Sequence, residues 1–292
     1  MSGRINLKTD GRIRRIPSRR RRLGRPRPAP NTRTGSEDCG WDDPEATPSG
    51  GSSSGADLTV LLPAHNEANS IEQVIKEFRE QVVLPTGADF LVCEDGSTDG
   101  TDRVLRVLAA AGEIRLLNDV ARKGYGDAVR DGLRTIRTPW TFFADSDGQY
   151  DARDFWKLWP HVGSYDMIIG RKVERMEHFH RILLSRGFHA LVKAVADVPL
   201  QDMDCGFRIV RKAVVDAILD DIGSLPFSFW AEFSILAYRR GFRVLEVPVS
   251  HRPRLNGTTS IYNAWRLPLI VAQQARGLAS LARQLRRADA RK

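Results

Sequence analysis

Trp140-Thr-Phe-Phe-Ala-Asp-Ser-Asp-Gly-Gln-Tyr150 is an apolar run that breaks abruptly into carboxylates. Trp140 to Ala144 is short, apolar and aromatic, which predicts a buried strand. Asp145-Ser-Asp-Gly-Gln149 then falls at the carboxyl end of that strand. Two other segments repeat the design. Leu58-Thr-Val-Leu-Leu62 runs into Pro63-Ala-His-Asn-Glu67, and Phe90-Leu-Val-Cys93 runs into Glu94-Asp-Gly-Ser-Thr-Asp99. Each alone is an ordinary turn with a helix cap. Three in one chain suggest a shared sheet edge.

Working outward, helical patterns separate the strands. Asn69 or Ser70 is placed to cap a helix with Ile71, Val74, Ile75 and Phe78 inward. Helices are expected over 97–111, with Val104, Leu105 and Leu108 inward, and over 126–136 and 152–159. Further strands are expected at 114–117 and 167–169. This alternation predicts an α/β fold with a mostly parallel, doubly wound sheet flanked by helices. The second half is less regular. It predicts helices over 175–196, 229–239 and 265–287, and strands at 207–210 and 242–249.

Charge divides the chain of 292 residues unevenly. Its net charge is +9, but residues 1–34 carry +11, residues 35–57 carry −6 and residues 271–292 carry +5, which leaves −1 for 58–270. A nucleic-acid-binding fold would concentrate basic charge on its folded body, so no nucleic-acid partner is expected. Residues 1–56 are basic and rich in Gly and Ser, with too few apolar side chains to offset ordering entropy, and are expected to be a disordered tail. Its Arg19–Arg22 run reads as a solvated charge, an anionic-surface contact or part of a targeting segment. Three cysteines, Cys39, Cys93 and Cys205, form no disulfide framework and fit a reducing compartment. No apolar run approaches a membrane span.

In an open parallel sheet, ligands bind beyond the carboxyl ends of the strands. Carboxylates gathered there without matching basic residues repel one another and call for a cation. Oxygen ligands without a His or Cys cluster favour Mg²⁺ or Mn²⁺ over zinc, with positions left open for phosphates. Lys123-Gly-Tyr-Gly126 lacks the spacing of a phosphate-binding P-loop. A metal–nucleotide site of another kind is therefore expected.

Leu62-Pro-Ala-His-Asn-Glu67, Cys93-Glu-Asp-Gly-Ser-Thr-Asp-Gly-Thr101, Lys123-Gly-Tyr-Gly-Asp-Ala128 and Asp145-Ser-Asp-Gly-Gln-Tyr150 resemble, in order, the signatures of family-2 inverting glycosyltransferases. The resemblance continues through Gly170-Arg171, Asp202-Met-Asp-Cys-Gly-Phe-Arg208, Glu246-Val-Pro248 and Arg254-Leu-Asn-Gly257. This later set is similar to the dolichol- or polyprenol-phosphate mannosyl- and glucosyltransferase branch.

The resemblance implies a GT-A fold and a catalytic domain over 57–262. It implies hexose transfer from a nucleotide-diphosphate sugar, of GDP-mannose or UDP-glucose type, to a polyprenyl or dolichyl phosphate. By resemblance, Pro63, His65 and Glu67 frame the base and ribose, and Glu94 and Asp95 contact one or the other. His65 stands where the branch commonly has Tyr, and Glu94 replaces the usual Asp. Lys123 and Gly124 pass near the base and ribose. Asp147 and Gln149 hold the metal, and Asp145 contacts the donor. Arg171 and Arg254 approach the diphosphate and acceptor phosphate, and Asp204 lies on the acceptor side. Two alternatives remain: a soluble family-2 transferase acting on a hydroxyl, and a non-catalytic binding protein on the same fold.

Residues 263–292 are expected to form a basic amphipathic helix. Val271, Leu278, Leu281 and Leu285 share one face, and Arg276, Arg283, Arg286 and Arg287 the other. Such a helix either lies in a membrane interface or docks on its own domain. The first reading, with a lipid acceptor, implies a cytoplasmic enzyme peripheral on the inner face of the membrane.

Overall fold

The computed structural model describes residues 57–173, 192, 196–253 and 267–290. The tail at 1–56 and the Arg254 motif lie outside them. So does the helix expected over 175–196, apart from Val192 and Ala196, which are helical and buried.

The chain forms β1 (Leu58–Ala64), α1 (Ile71–Phe78), α2 (Leu84–Thr86), β2 (Asp89–Asp95), α3 (Thr101–Ala110), β3 (Arg115–Asp119) and α4 (Tyr125–Thr135). It continues through β4 (Trp140–Ala144), α5 (Phe155–Leu158), β5 (Met167–Lys172), β6 (Phe207–Arg211), α6 (Lys212–Ile218), α7 (Phe229–Arg239), β7 (Val244–Val249) and α8 (Leu267–Asp289). The strands make one seven-stranded sheet in the order β3-β2-β1-β4-β6-β5-β7. β6 alone runs antiparallel, to both β4 and β5.

Burial explains the strand sequences. β1 is buried along its whole length and β4 from Thr141 onward. A central strand covered on both faces reads as a continuous apolar run. β3 at the edge is only partly buried. Ile71, Val74, Ile75 and Phe78 seat α1 on the sheet as their spacing requires. At the centre, the Phe142 ring meets Phe155 and Phe207 at 4.9 Å between centroids.

Three local expectations are corrected. Ser70 does not cap α1 with its side chain; its hydroxyl donates to Glu67 Oε2 at 3.0 Å. α3 begins at Thr101 rather than Ser97, because side chains take the loop amides: Glu94 that of Ser97, Asn66 that of Thr98 and Asp99 that of Thr101. α6 was not anticipated, and a five-residue π-helical stretch, Arg79–Val83, joins α1 to α2.

The topology builds the site. From β1 the chain runs outward through β2 to β3, then returns to place β4 on the other side of β1. That reversal opens a crevice at the strand ends. The reversed β6 adds to it. Ala144, the last residue of β4, pairs with Phe207, the first of β6. The loop entering β6 therefore lies beside the loop leaving β4.

Candidate active site

A cleft of about 740 Å³ opens at this edge. Pro63, His65, Glu67, Asp95, Lys123, Gly124, Asp145, Asp147, Gln149 and Asp204 all line it. Segments separated by up to 141 positions in sequence thus converge.

The loop after β1 is strapped to the loop after β2. Asn66 N–H donates to Ser97 Oγ at 3.0 Å, Glu67 N–H to Thr101 Oγ1 at 2.9 Å and Ala68 N–H to Asp99 Oδ2 at 3.0 Å. His65 Nδ1 donates to the Asp95 carbonyl at 2.7 Å, which sets the ring's tautomer, since a carbonyl only accepts. Asp95 carries the next loop: its Oδ1 accepts from Lys123 N–H at 2.6 Å and its Oδ2 from Gly124 N–H at 2.9 Å. Lys123 Nζ lies 2.7 Å from Asp119 and 2.9 Å from Asp131. Those two acids, Asp119 foremost, hold the ammonium well above the usual lysine range.

Glu94 differs from its neighbours. It is buried, and its carboxylate accepts from Gly96 N–H at 3.2 Å and Ser97 N–H at 2.5 Å. It shapes the turn and is not among the cleft-lining residues. Arg171 is also absent from the lining, whereas the adjacent Lys172 is present. Successive strand residues point to opposite faces, and β5 turns Lys172 inward. Lys172 N–H donates to Asp202 Oδ2 at 3.1 Å, and Nζ lies 3.8 Å from Asp202 Oδ1. Arg254 lies outside the described residues.

Asp145 follows β4 directly and is half-buried. Its N–H donates to the Gly206 carbonyl at 2.9 Å, and its Oδ1 accepts from Tyr125 Oη at 2.8 Å. A methyl group at Gly206 would overlap the Asp145 carboxylate. Glycine is required there by space, not by backbone angle. Burial, with the nearby charge of Asp147, raises the Asp145 carboxyl to about 7. Asp147 Oδ1 accepts from Gln149 N–H at 3.2 Å, and Gln149 Nε2 donates to the Arg252 carbonyl at 3.3 Å. That bond orients the Gln149 amide, leaving its oxygen as the acceptor end.

The opposite wall joins the expected Asp204 to residues that the sequence did not single out as functional. Asp204 Oδ1 accepts from Ala231 N–H at 3.1 Å, near the start of α7. Trp230 is buried, yet its Nε1–H donates to Tyr125 Oη at 3.0 Å. Behind it lies Arg208, wholly buried. Its guanidinium stacks over Trp230 at 4.1 Å and donates to the Cys205 and Met203 carbonyls and Ser234 Oγ. Burial holds Arg208 below the usual arginine range. The wall ends in an apolar lip of Ile222, Leu225, Pro226, Phe227 and Phe229. Buried Glu232 fixes this lip by accepting from the Gly223, Ser224 and Leu225 amides at 3.2, 2.9 and 2.7 Å. His251 lines the cleft and meets the Tyr150 ring edge-on at 5.5 Å.

A doubly wound sheet with acidic strand ends around a cleft at its switch point is the arrangement of the GT-A transferase fold. Residues 59–219 match the family model described as glycosyl transferase family 2. The chain belongs to that family and is a glycosyltransferase. It is 31% identical to the glycosyltransferase AglD of Haloferax volcanii over 222 residues, covering 72% of this chain and 35% of AglD. It is 24% identical to the dolichyl-phosphate β-glucosyltransferase of Saccharomyces cerevisiae over 220 residues, covering 66% of each. The chain thus matches about a third to two thirds of the length of these curated relatives. Its fold is that of glucosyl-3-phosphoglycerate synthase from Mycobacterium tuberculosis, solved with Mn²⁺, UDP and glucosyl-3-phosphoglycerate. That likeness has a TM-score of 0.58 at 20% identity, covering 78% of this chain and 80% of that one.

Proposed function

We propose that this enzyme moves a hexose from a nucleotide-diphosphate sugar, of GDP-mannose or UDP-glucose type, to a polyprenyl or dolichyl phosphate, with inversion at the anomeric carbon. One observation carries the reading: a single cleft is lined both by carboxylates with Lys172 and by the apolar residues Ile222, Leu225, Pro226, Phe227 and Phe229. The named activity of the yeast relative supports the same acceptor. Pro63, His65, Glu67, Asp95, Lys123 and Gly124 frame the nucleotide. Glu94 supports them from behind by holding the turn. Arg254 is assigned to the phosphates by its motif alone.

Asp147 and Gln149 would hold Mg²⁺ or Mn²⁺. Their oxygen donors, with the Gln149 amide oriented by Arg252, suit a hard cation. Among the described residues no three His, Cys, Asp or Glu side chains are grouped to hold a metal, so substrate phosphates and water fit as the remaining ligands. Bound there, the ion supplies charge neutralisation to the diphosphate leaving group.

The chain's own residues do the rest. An acceptor phosphate oxygen forms the new bond to the anomeric carbon. The bond from that carbon to the nucleotide phosphate breaks, and the electron pair leaves with the nucleoside diphosphate. Holding the two partners in line is the main contribution of the cleft walls. A phosphate acceptor is already ionised near neutral pH, so no strong base is needed. Asp204 then serves by anchoring the start of α7. If the acceptor were a hydroxyl, Asp204 would have to take its proton.

The place of action follows from α8 in this reading. Leu278, Leu281 and Leu285 are buried against the domain, while Arg276, Arg283, Arg286 and Arg287 are exposed. Leu269 and Val271 are also exposed. This basic and partly apolar surface suits peripheral contact with an anionic membrane face on the cytoplasmic side. Among the described residues no helix is long and apolar enough to cross a membrane.

Asp204→Asn tests the acceptor assignment. Transfer to a lipid phosphate is expected to survive within about tenfold, whereas loss of a general base costs about 10²–10⁴-fold. A collapse of transfer to that larger extent, in a folded variant, argues for a hydroxyl acceptor.

A further inference from the structure

Asp145 is held by a chain of side chains that begins on the other wall of the cleft. Trp230 Nε1–H donates to Tyr125 Oη at 3.0 Å, and Tyr125 Oη donates to Asp145 Oδ1 at 2.8 Å. The direction is fixed by chemistry. An indole N–H only donates, so Tyr125 Oη accepts from Trp230, and its own proton is the one directed at Asp145 Oδ1. The Tyr125 hydroxyl therefore has one use for its proton and one for its lone pair. Tyr125 as a residue is 43% exposed, but its hydroxyl sits between Trp230 and Asp145, and this local desolvation, with the Asp145 charge, raises its pKa above the usual tyrosine value.

Each member is itself anchored. Tyr125 follows Gly124, whose amide Asp95 holds. Trp230 packs against Phe143 at 4.5 Å and under the Arg208 guanidinium at 4.1 Å. The next residue, Ala231, donates its amide to Asp204. Asp145 has little room to turn, because Gly206 lies against its carboxylate. The donor-side acid and the acceptor-side helix α7 are thus joined through one phenol.

We propose that Tyr125 is a positioning residue: its hydroxyl, steered by the Trp230 indole, fixes the orientation of the Asp145 carboxylate and couples it to the α7 wall where the acceptor enters. The role rests on Asp145 facing the donor and is independent of whether the acceptor is a phosphate or a hydroxyl. Tyr125 touches no reacting atom in this scheme. It acts through Asp145.

Two readouts test it. In ligand-free protein, the Trp230 indole N–H resonance, identified with Trp230→Phe, should move when Asp145 is replaced by Asn. The same replacement in a Tyr125→Phe background should leave it in place. Equal movement in both backgrounds overturns the coupling, and this result needs no substrate. In transfer assays with Mn²⁺ and GDP-mannose or UDP-glucose, Tyr125→Phe should lower kcat about tenfold to a hundredfold, the range for losing a hydrogen bond to a charged group. The acceptor KM should change little, and Trp230→Phe should give a smaller drop of the same kind. Combined with Asp145→Asn, Tyr125→Phe should add almost nothing further. Multiplying effects, or an unchanged kcat, overturn the positioning role. Absence of transfer to any lipid phosphate, with the indole coupling intact, counts against the acceptor assignment and leaves the coupling standing.

Discussion

Gly206 and Asp145 show how one residue type fixes another's place. The glycine sits where any side chain would occupy the volume of the Asp145 carboxylate. Gly206→Ala is expected to displace that acid and cut transfer at least about tenfold. The melting temperature should fall by only a few degrees, in line with a typical substitution of about 1 kcal/mol. Parallel activity and melting measurements check this. A variant with full activity would mean that Asp145 need not sit where it does. The acids after β1, β2 and β4 were legible in the sequence because each segment follows an apolar run, whereas Asp204 came only from the family resemblance. The inward choice at β5 was not. Arg171 and Lys172 are adjacent cations, and alternation says they part company without saying which turns into the cleft. The partner of Asp145 was equally hidden. Tyr125 stood inside a quoted motif, but its meeting with Trp230 joins positions 105 residues apart.

At the scale of elements, the lip from Ile222 to Phe229 is clamped from two sides. Glu232 on α7 holds its amides. α8 presses on it from outside: Gln274 Nε2 donates to Ser228 Oγ at 3.2 Å, and Gly277 allows the helix to close on the Ser224 carbonyl. Glu232→Ala removes three acceptor contacts inside the fold. It is expected to destabilise the protein by about 1–3 kcal/mol, the cost of leaving buried polar groups unsatisfied. Denaturant midpoints measure it. Leu281→Ala, at a fully buried site on α8, should cost about 2–5 kcal/mol. A cost near zero would mean that α8 does not dock in solution. The sequence showed that α8 has an apolar face but left open what covers it, because periodicity identifies a stripe and not its partner. The docking divides that stripe: Leu278, Leu281 and Leu285 are covered and Val271 is not. The antiparallel course of β6 was illegible for a related reason. Phe207–Val210 reads as a buried strand in either direction, yet its reversal is what brings Asp204 and Gly206 to Asp145.

Across the molecule, the charge of +9 describes the ends and not the body. Within the body, some acids line the cleft and others pair with arginines or lysines or hold backbone amides. Asp166 is of the second kind. Hydrogen bonds from the Arg243 guanidinium, with help from Arg211, hold its carboxyl below the usual range. A carboxylate depressed in the folded state stabilises above its unfolded pKa of about 4, and that contribution is lost as pH falls through the lower folded value. Asp166→Asn should therefore lower the urea midpoint more at pH 7 than at pH 3, where part of the contribution has already gone. An equal loss at both values would show that the contacts of Asp166 do not depend on its charge.

The acceptor is the point on which the functional reading turns, and a side-by-side assay addresses it directly. Radiolabelled hexose transfer from GDP-mannose and UDP-glucose, with Mn²⁺, would be followed to polyprenyl phosphate and to the matching polyprenol. Label should enter the lipid phosphate from one of the two donors, depend on the ion and on Asp147, and not enter the alcohol. Active enzyme that labels a hydroxyl acceptor while leaving polyprenyl phosphate untouched would contradict the assignment.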